Sequence, residues 1–454
     1  MKVENKTVLV IGTGMSGIGA AELLSKVHAN PVLFDSNDTL DKDAIRKKLP
    51  EGTEVEIVLG ALSEEVKSRI SLVVISPGVP VDSELVEAFR GMGIPVWGEI
   101  ELAYQFAKGD VLAVTGTNGK TTTTSLLGQI MQDYFKSVYV VGNIGNPYTK
   151  IALDTKEDTV TVAEISSFQL ETIHTFHPSV SAILNITPDH LNRHHTMENY
   201  VAVKEAIAMN QTEKDTCVLN YEDDNTRAFG KETKAKVIYF SSKRVLEKGI
   251  YLKEDDIYYG DGTGTPLKLM NIHSMKLIGT HNVENVMAAI AMASACGVPM
   301  EDIIATVQEF KAVEHRIEFV AMKKGVDYYN DSKGTNPDAA IKGIKAMRKP
   351  TILIGGGYDK QSEYDEWVEA FDGKVKYLIL MGQTREKIAE CARKHGFVNI
   401  IFAESLEEVM KICEEKAEPG DAVLLSPACA SWGMFPNYEI RGKMFKDIVN
   451  NMKE

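Results

Sequence analysis

One stretch constrains this chain more than any other: Val111-Leu-Ala-Val-Thr-Gly-Thr-Asn-Gly-Lys120-Thr-Thr-Thr-Thr. An apolar run, which reads as a strand, breaks into a Gly/Thr loop and restarts as a helix-like segment from Ser125 to Met131. Such a loop lets backbone N–H groups converge on anionic oxygens, the helix N-terminus adds its dipole, and Lys120 adds a full positive charge. Thr121 is then placed to ligate Mg²⁺. The spacing departs from G-x-x-x-x-G-K-[ST], whose first glycine falls on Val114, and leaves Gly116-x-x-Gly119-Lys120-Thr121. A turn before a capped helix has the same outline, but Gly-Lys followed by four threonines is an odd way to build a mere connection.

The segments before and after repeat the alternation of strand and helix. Thr7-Val-Leu-Val-Ile11 leads into Gly12-x-Gly14-x-x-Gly17, a helical stretch from Ile18 to Val27, and the strand Pro31-Val-Leu-Phe34 ending in Asp35. This is a βαβ nucleotide fingerprint, with Asp35 near the distance at which an acid meets a ribose hydroxyl. By itself it leaves open a nicotinamide dinucleotide, another nucleotide, or close strand–helix packing without a ligand. The strand Ser71–Ile75 ends in the rigid turn Ser76-Pro-Gly-Val-Pro80, and Ile94–Trp97 closes the unit.

A second unit begins near Gly98 with an acidic helix from Glu99 to Lys108, followed by the phosphate loop. Its later strands carry polar groups at their exits: Gly142-Asn143-Ile-Gly145 after Ser137–Val141, Glu164 after Thr159–Ala163, and Asn185-Ile-Thr-Pro-Asp-His190 after Val180–Leu184. Glu164, His190 and Asn143 are therefore expected on one sheet edge with the phosphate loop. Glu164 suits Mg²⁺; spacing leaves His190 open between zinc ligand, base and structural residue. Lys204, in a helix capped by Thr196, reads from spacing as a solvated face residue. Tyr221 to Thr265 reads as short antiparallel strands, and His281-Asn282-x-x-Asn285 opens an Ala-rich helix whose asparagines either cap it or meet a ligand.

A third unit starts near Val313, with strands at Val326–Tyr329, Thr351–Ile354, Tyr377–Leu380, Asn399–Phe402 and Ala422–Leu425, a second doubly wound pattern. Arg316 sits at the junction, where an arginine can reach across a cleft to phosphate.

Composition narrows the class. A chain of 454 residues at 44% hydrophobic content suits about three packed units, and no apolar run approaches the roughly 20 residues of a membrane span. The formal charge of −14 argues against nucleic acid or anionic membrane as a main partner. The N-terminus shows no signal-peptide pattern, so the cytoplasm is expected. Five scattered cysteines without C-x-x-C spacing read as core residues rather than disulfides or a thiolate zinc site.

Taken together, Thr115-Gly-Thr-Asn-Gly-Lys-Thr-Thr122, Gly142-Asn-Ile-Gly145, Glu164-Ile-Ser-Ser-Phe-Gln-Leu-Glu171, Asn185-Ile-Thr-Pro-Asp-His190, His281-Asn-x-x-Asn285, His315-Arg316, Asn330-Asp-Ser-Lys-Gly-Thr-Asn336 and Leu425-Ser-Pro-Ala-Cys-Ala-Ser431 resemble the Mur ligase family, the ATP-dependent amide ligases of peptidoglycan precursor synthesis. The resemblance covers essentially the whole chain. It implies an α/β protein of three domains: an N-terminal Rossmann-like UDP-binding domain (1–97), a central P-loop ATPase-like domain (98–312) and a C-terminal Rossmann-like amino-acid domain (313–454).

By the same resemblance, Gly116, Thr117, Asn118, Gly119, Lys120, Thr121 and Thr122, with Asn282, Asn285, Arg316 and Asp331, would bind ATP. Thr121, Glu164, His190 and a carbamylated Lys204 would surround two Mg²⁺ ions. The carbamate reverses the solvated-face reading, since it turns an ammonium into an oxygen ligand. Gly14, Met15, Ser16, Asp35, Ser36, Gly78, Asn143 and His190 would hold a UDP-linked substrate. Lys333, Thr335, Ser431, Trp432 and Tyr438 would hold the incoming amino acid, with Lys120, Glu164, His190, Lys204, Arg316 and Lys333 as the catalytic set. Within the resemblance, the segment Ser426–Ser431 favours addition of D-glutamate to UDP-N-acetylmuramoyl-L-alanine over addition of L-alanine, and a cytoplasmic monomer is expected. Addition of L-alanine, a folylpolyglutamate synthetase-like ligase and an NAD-dependent dehydrogenase are the alternatives.

Overall fold

The computed structural model describes residues 2–311 and 313–452. It divides into two compact units, Met1–Ile272 with Glu284–Gln308, and His273–Val283 with Glu309–Glu454. The first unit holds two sheets and the second holds one.

The first sheet consists of β1 (Thr7–Ile11), β2 (Asn30–Asp35), β3 (Glu56–Leu59), β4 (Ile70–Ile75) and β5 (Val96–Gly98), all parallel in the order β3-β2-β1-β4-β5. Unbroken Val/Ile/Leu runs suit strands covered on both faces, and Val8, Leu9, Val10, Leu72 and Val73 are fully buried. The order reverses between β1 and β4, which sets the Gly12 loop beside the Ser76 turn at the carboxyl edge. A Cβ on Gly17 would lie 1.8 Å from the Gly12 carbonyl oxygen, so only glycine lets the helix Met15–Lys26 pack this close.

The second sheet comprises β6 (Asp110–Thr115), β7 (Val138–Gly142), β8 (Val160–Glu164), β9 (Val180–Ile183), β10 (Thr216–Asn220), β11 (Lys236–Ser241), β12 (Lys248–Lys253), β13 (Asp256–Asp261) and β14 (Leu267–Asn271). Its order, β14-β13-β12-β11-β10-β9-β6-β8-β7, puts β6 between β9 and β8, so the phosphate loop leaves the sheet between the exits that carry Asn185 and Glu164.

The second unit's sheet runs β15-β16-β20-β17-β18-β19, from β15 (Glu318–Lys323), β16 (Val326–Asn330), β17 (Thr351–Gly355), β18 (Val375–Leu380), β19 (Ile400–Phe402) and β20 (Ala422–Leu425). All pairs are parallel except β15 with β16.

Several sequence expectations need correction. The helix after the phosphate loop starts at Lys120, not Ser125, and runs to Tyr134, because Gly119 itself is the cap. The acidic helix ends at Tyr104, short of Lys108. The last strand of the first sheet begins at Val96, since Pro95 has no N–H for a ladder. Tyr221–Thr265 is not a run of antiparallel strands: it contains the helix Asp224–Phe229, capped by Asp223, and β11, which pairs parallel with β10. Only β12, β13 and β14 pair antiparallel with one another. β15 is an addition to the expected strands. Its hairpin turn, Lys324-Gly325, has φ of 50° and 77°, the left-handed pair a two-residue turn requires. Of the five cysteines, Cys217, Cys413 and Cys429 are buried, whereas Cys296 and Cys391 are only half-buried.

Candidate active site

The phosphate loop is held open by its neighbours. Gly116 and Gly119 adopt φ of 149° and 89°, and the helix that starts at Lys120 has glycine rather than a capping side chain at its N-terminus. The Asn185 side chain clamps the loop, accepting from the Asn118 N–H at 2.8 Å and donating to the Asn118 carbonyl at 3.0 Å. The Thr117 hydroxyl donates to the Thr187 carbonyl at 3.0 Å and meets the Tyr200 hydroxyl at 3.1 Å. Lys120 Nζ donates back to the carbonyls of Gly116 (2.8 Å) and Thr117 (3.0 Å), arching over the loop. A Cβ on Gly119 would stand 2.1 Å from Asn285 Oδ1, which places that asparagine against the loop. The arrangement is a cradle for a polyanion.

At the same edge, Glu164 ends β8 almost fully buried. One carboxylate oxygen accepts from Asn143 Nδ2 at 2.8 Å, while Oε2 is buried without a hydrogen-bond partner. A buried carboxylate oxygen lacking a donor fits a hard divalent cation, for which a carboxylate, the Thr121 hydroxyl and phosphate oxygens are the preferred donors.

Lys204 is likewise buried, with 1% of its surface exposed, so its reading as a solvated face residue is wrong. Its Nζ donates to the Gly116 carbonyl at 2.9 Å and lies 4.8 Å from the centre of the Tyr200 ring. Burial first, then the charge on Lys120, push its pKa well below the usual lysine range. Periodicity could not show this, because the burial comes from the phosphate loop folding over that helix face. His190 is half-exposed in a left-handed conformation (φ 53°), its ring 4.9 Å from that of Phe168.

In the first sheet, the helix Met15–Lys26 also starts at a glycine, Gly14, without a side-chain cap. Asp35 accepts from the Thr13 hydroxyl at 2.8 Å and from the Asn37 N–H at 3.1 Å, which fixes it at the exit of β2. Met15, Ser36 and Gly78 are exposed around this loop and Ser16 half-buried. Ser76, which the glycine motif does not include, has a buried hydroxyl without a partner beside Gly12, where a Cβ would come within 2.7 Å of it.

The second unit gathers its own cluster. Asp331 follows β16 and is buried; it accepts from the Ser426 hydroxyl at 2.6 Å and the Ile317 N–H at 3.3 Å. Desolvation raises its pKa to about 7 against the lowering effect of Ser426 and Arg316. Arg316 lies between two left-handed residues, His315 (φ 66°) and Ile317 (φ 46°). His281, pushed down to about 4 by burial and by Lys342 and Arg316, stands near this charge. Asn282 Nδ2 donates to the Ile278 carbonyl at 2.8 Å.

Lys333 Nζ sits 5.5 Å from the centre of the Tyr438 ring, and the Thr335 N–H donates to the Lys333 carbonyl at 2.8 Å. Ser431 is buried, whereas Trp432 is exposed beside Tyr358 and Lys360. Arg441 escaped sequence reasoning. Completely buried, it donates to the Ser332 carbonyl at 2.8 Å, the Ser332 hydroxyl at 3.0 Å and the Cys429 carbonyl at 3.3 Å, tying the two loops together. Asp365, Cys391 and His395 also bring one ligand-type atom each within 4.8 Å of one another, but a 2.8 Å His395–Asp365 hydrogen bond already accounts for that surface grouping.

Three α/β sheets, each presenting glycine-rich or polar loops at its carboxyl edge, are matched by three family models: Mur ligase MurD-like, N-terminal domain over residues 6–98, Mur ligase middle domain over 114–293, and Mur ligase, glutamate ligase domain over 315–429. The chain belongs to the Mur ligase family. It is 61% identical over 452 residues to UDP-N-acetylmuramoylalanine–D-glutamate ligase of Lachnospira eligens, and 55% identical over 454 residues to the protein of that name from Lachnoclostridium phytofermentans, with all of each chain covered. Among solved structures, UDP-N-acetylmuramate-alanine ligase MurC of Thermotoga maritima shares the fold at a TM-score of 0.62 and 19% identity, covering 99% of this chain and 100% of that one.

Proposed function

We infer that this chain joins the amine of D-glutamate to the terminal carboxylate of UDP-N-acetylmuramoyl-L-alanine, cleaving ATP to ADP and phosphate. The observation that carries this reading is the end-to-end identity of 61% with a D-glutamate ligase. The substrate carboxylate oxygen attacks the γ-phosphorus and ADP leaves. The amine then attacks the acyl phosphate carbonyl, a tetrahedral intermediate collapses, phosphate leaves and one proton is lost to form the amide. Both steps need positioning and neutralisation of phosphate charge more than covalent help from the protein.

Each role follows from the local chemistry. Gly116 to Thr122 would cradle the ATP phosphates, with Lys120 moving from its loop carbonyls onto the phosphate oxygens, and Asn282, Asn285, Arg316 and Asp331 would hold the rest of the nucleotide. Glu164, Thr121, His190 and Lys204 would hold two Mg²⁺ ions, which neutralise charge on the transferring phosphoryl group. The buried, partnerless Glu164 oxygen supports this assignment. A buried Lys204 with a depressed pKa supports carbamylation: a neutral amine adds CO₂, loses a proton and becomes an anion with oxygen donors. Gly14, Met15, Ser16, Asp35, Ser36, Gly78, Asn143 and His190 would hold the UDP-linked substrate; Lys333, Thr335, Ser431, Trp432 and Tyr438 would hold D-glutamate.

The proposed domains are 1–97, 98–312 and 313–454, in a cytoplasmic monomer. Among the described residues no helix is long and apolar enough to cross a membrane. Phosphate release from ATP in the presence of UDP-N-acetylmuramoyl-L-alanine tests the reaction, with D-glutamate compared against L-glutamate, L-alanine and meso-diaminopimelate. Release with D-glutamate alone is expected; release with another amino acid would move the enzyme to a different step, and no stimulation by any of them would refute the ligase reading.

A further inference from the structure

Arg193 has no part in the roles above, yet it is one of the side chains that link the two halves of the first unit, beside the His195–Asp82 contact at 3.1 Å and the His174–Val96 carbonyl contact at 2.9 Å. Its guanidinium is largely buried and forked. Nη2 donates to Glu171 Oε2 at 2.6 Å and to the Val79 carbonyl at 2.8 Å, and Nε reaches Glu171 Oε1 at 3.3 Å. Val79 belongs to the Ser76–Pro80 turn, whose Ser76 N–H donates to the Ile11 carbonyl at 3.0 Å and so holds the turn to β1. Glu171 follows the short helix Ser167–Leu170 at the exit of β8, a few residues beyond Glu164. The guanidinium also lies 5.1 Å from the centre of the Phe168 ring, which in turn meets the His190 ring at 4.9 Å and the His194 ring at 5.6 Å. Glu171 in turn meets His194 Nδ1 at 3.3 Å, and His194 Nε2 meets the Ser167 hydroxyl at 3.0 Å.

We propose that Arg193 is a positioning residue that sets the spacing between the nucleotide loops of the first sheet and the Glu164–His190 corner of the second, so that a substrate held at both ends presents its carboxylate in register. The inference rests on the reading that the Gly12 and Ser76 loops hold the uridine diphosphate. A planar, forked cation suits this role because it bonds a carboxylate on one element and a backbone carbonyl on another in one fixed geometry, which a lysine cannot reproduce. Because Val79 is engaged through its backbone, the link can be cut by substitution at Arg193 or Glu171 but not at Val79.

The test compares a ligand that touches one loop set with a ligand that spans both. In the full chain, Arg193→Lys, Arg193→Met and the near-isosteric Glu171→Gln are measured by calorimetry for UDP alone and for UDP-N-acetylmuramoyl-L-alanine. UDP affinity is expected to stay within about twofold of wild type, while affinity for the whole substrate falls about tenfold or more in Arg193→Met and less in Arg193→Lys. The kcat should fall with it, and the KM for D-glutamate should not move. Equal losses for both ligands would make Arg193 a support of the Ser76 turn only, and no loss for either would remove it from substrate alignment; both results overturn the proposal. A wild-type chain that binds neither ligand would instead refute the underlying functional reading.

Discussion

Replacing Asp331 with asparagine should stabilise the second unit, by an amount that depends on pH. The carboxyl is buried, its pKa stands at about 7 in the folded chain, and its ordinary value is 3.8. Between those values the folded state holds more protons than the unfolded one, so stability falls as pH rises, and the full cost is present above about pH 7. The difference between the folded and ordinary values corresponds to about 4 kcal/mol once the group is ionised. At about pH 5 the same linkage leaves a cost of only about 2 kcal/mol.

Asparagine keeps the shape and drops the charge. Its amide oxygen can still accept from the Ile317 N–H and its amide nitrogen can donate to a rotated Ser426 hydroxyl, so both contacts persist without the charge. Urea unfolding of wild type and Asp331→Asn across this range should therefore show the variant more stable, with the gap widening by about 2 to 3 kcal/mol from about pH 5 to about pH 8. A gap that does not change with pH would refute the claim that desolvation dominates this carboxylate. Ligase activity should be lost over the same range if Asp331 meets the nucleotide.

Three further outcomes are expected. Lys120→Ala should reduce ATP-dependent phosphate release by about 100-fold or more, because a fixed charge aimed at the phosphates has no substitute; near-normal turnover would remove it from the chemistry. Lys204→Ala should be equally inactive but recover partly with acetate or formate, which can supply the missing carboxylate oxygens; absence of any recovery would count against the carbamate. Gly119→Ala places a Cβ 2.1 Å from Asn285 Oδ1 on a backbone at φ 89°, so a strain of about 1–2 kcal/mol should appear as a lower melting temperature and a raised KM for ATP. An unchanged KM would show that the loop shifts freely.

Much of the candidate site was legible because it sits in short segments at the ends of strands. Gly116 to Thr121, Glu164, Asn185 and Asp331 each lie within a few residues of an apolar run, and a parallel sheet gathers such exits along one edge whatever its details. The same logic found Gly12 and Asp35. It failed for Arg441, which lies inside a helix and looks like any polar helix residue until two loops close over it. It reached Ser76 as the first residue of the turn after β4, but not the burial of its hydroxyl, which comes from Gly12 packing against it. The hairpin β15–β16 was legible in principle, through Lys324-Gly325, but its first strand exposes Phe319 and Met322 instead of alternating cleanly, which hides it from a periodicity argument.

The chain's local order carries the alternation of strands and helices, the glycines that let backbone approach phosphate, and the residue types suited to anions and hard cations. Those properties depend on neighbours a few positions apart, and periodicity and turn chemistry report them directly. Tertiary structure alone decided that Lys204 is buried against the Gly116 carbonyl, that one Glu164 oxygen has no donor, and that Arg193 bonds a carbonyl 114 positions away. Burial and hydrogen-bond satisfaction are set by which surfaces meet. A charged side chain on a helix is therefore a solvated residue or a reactive group according to what folds over it.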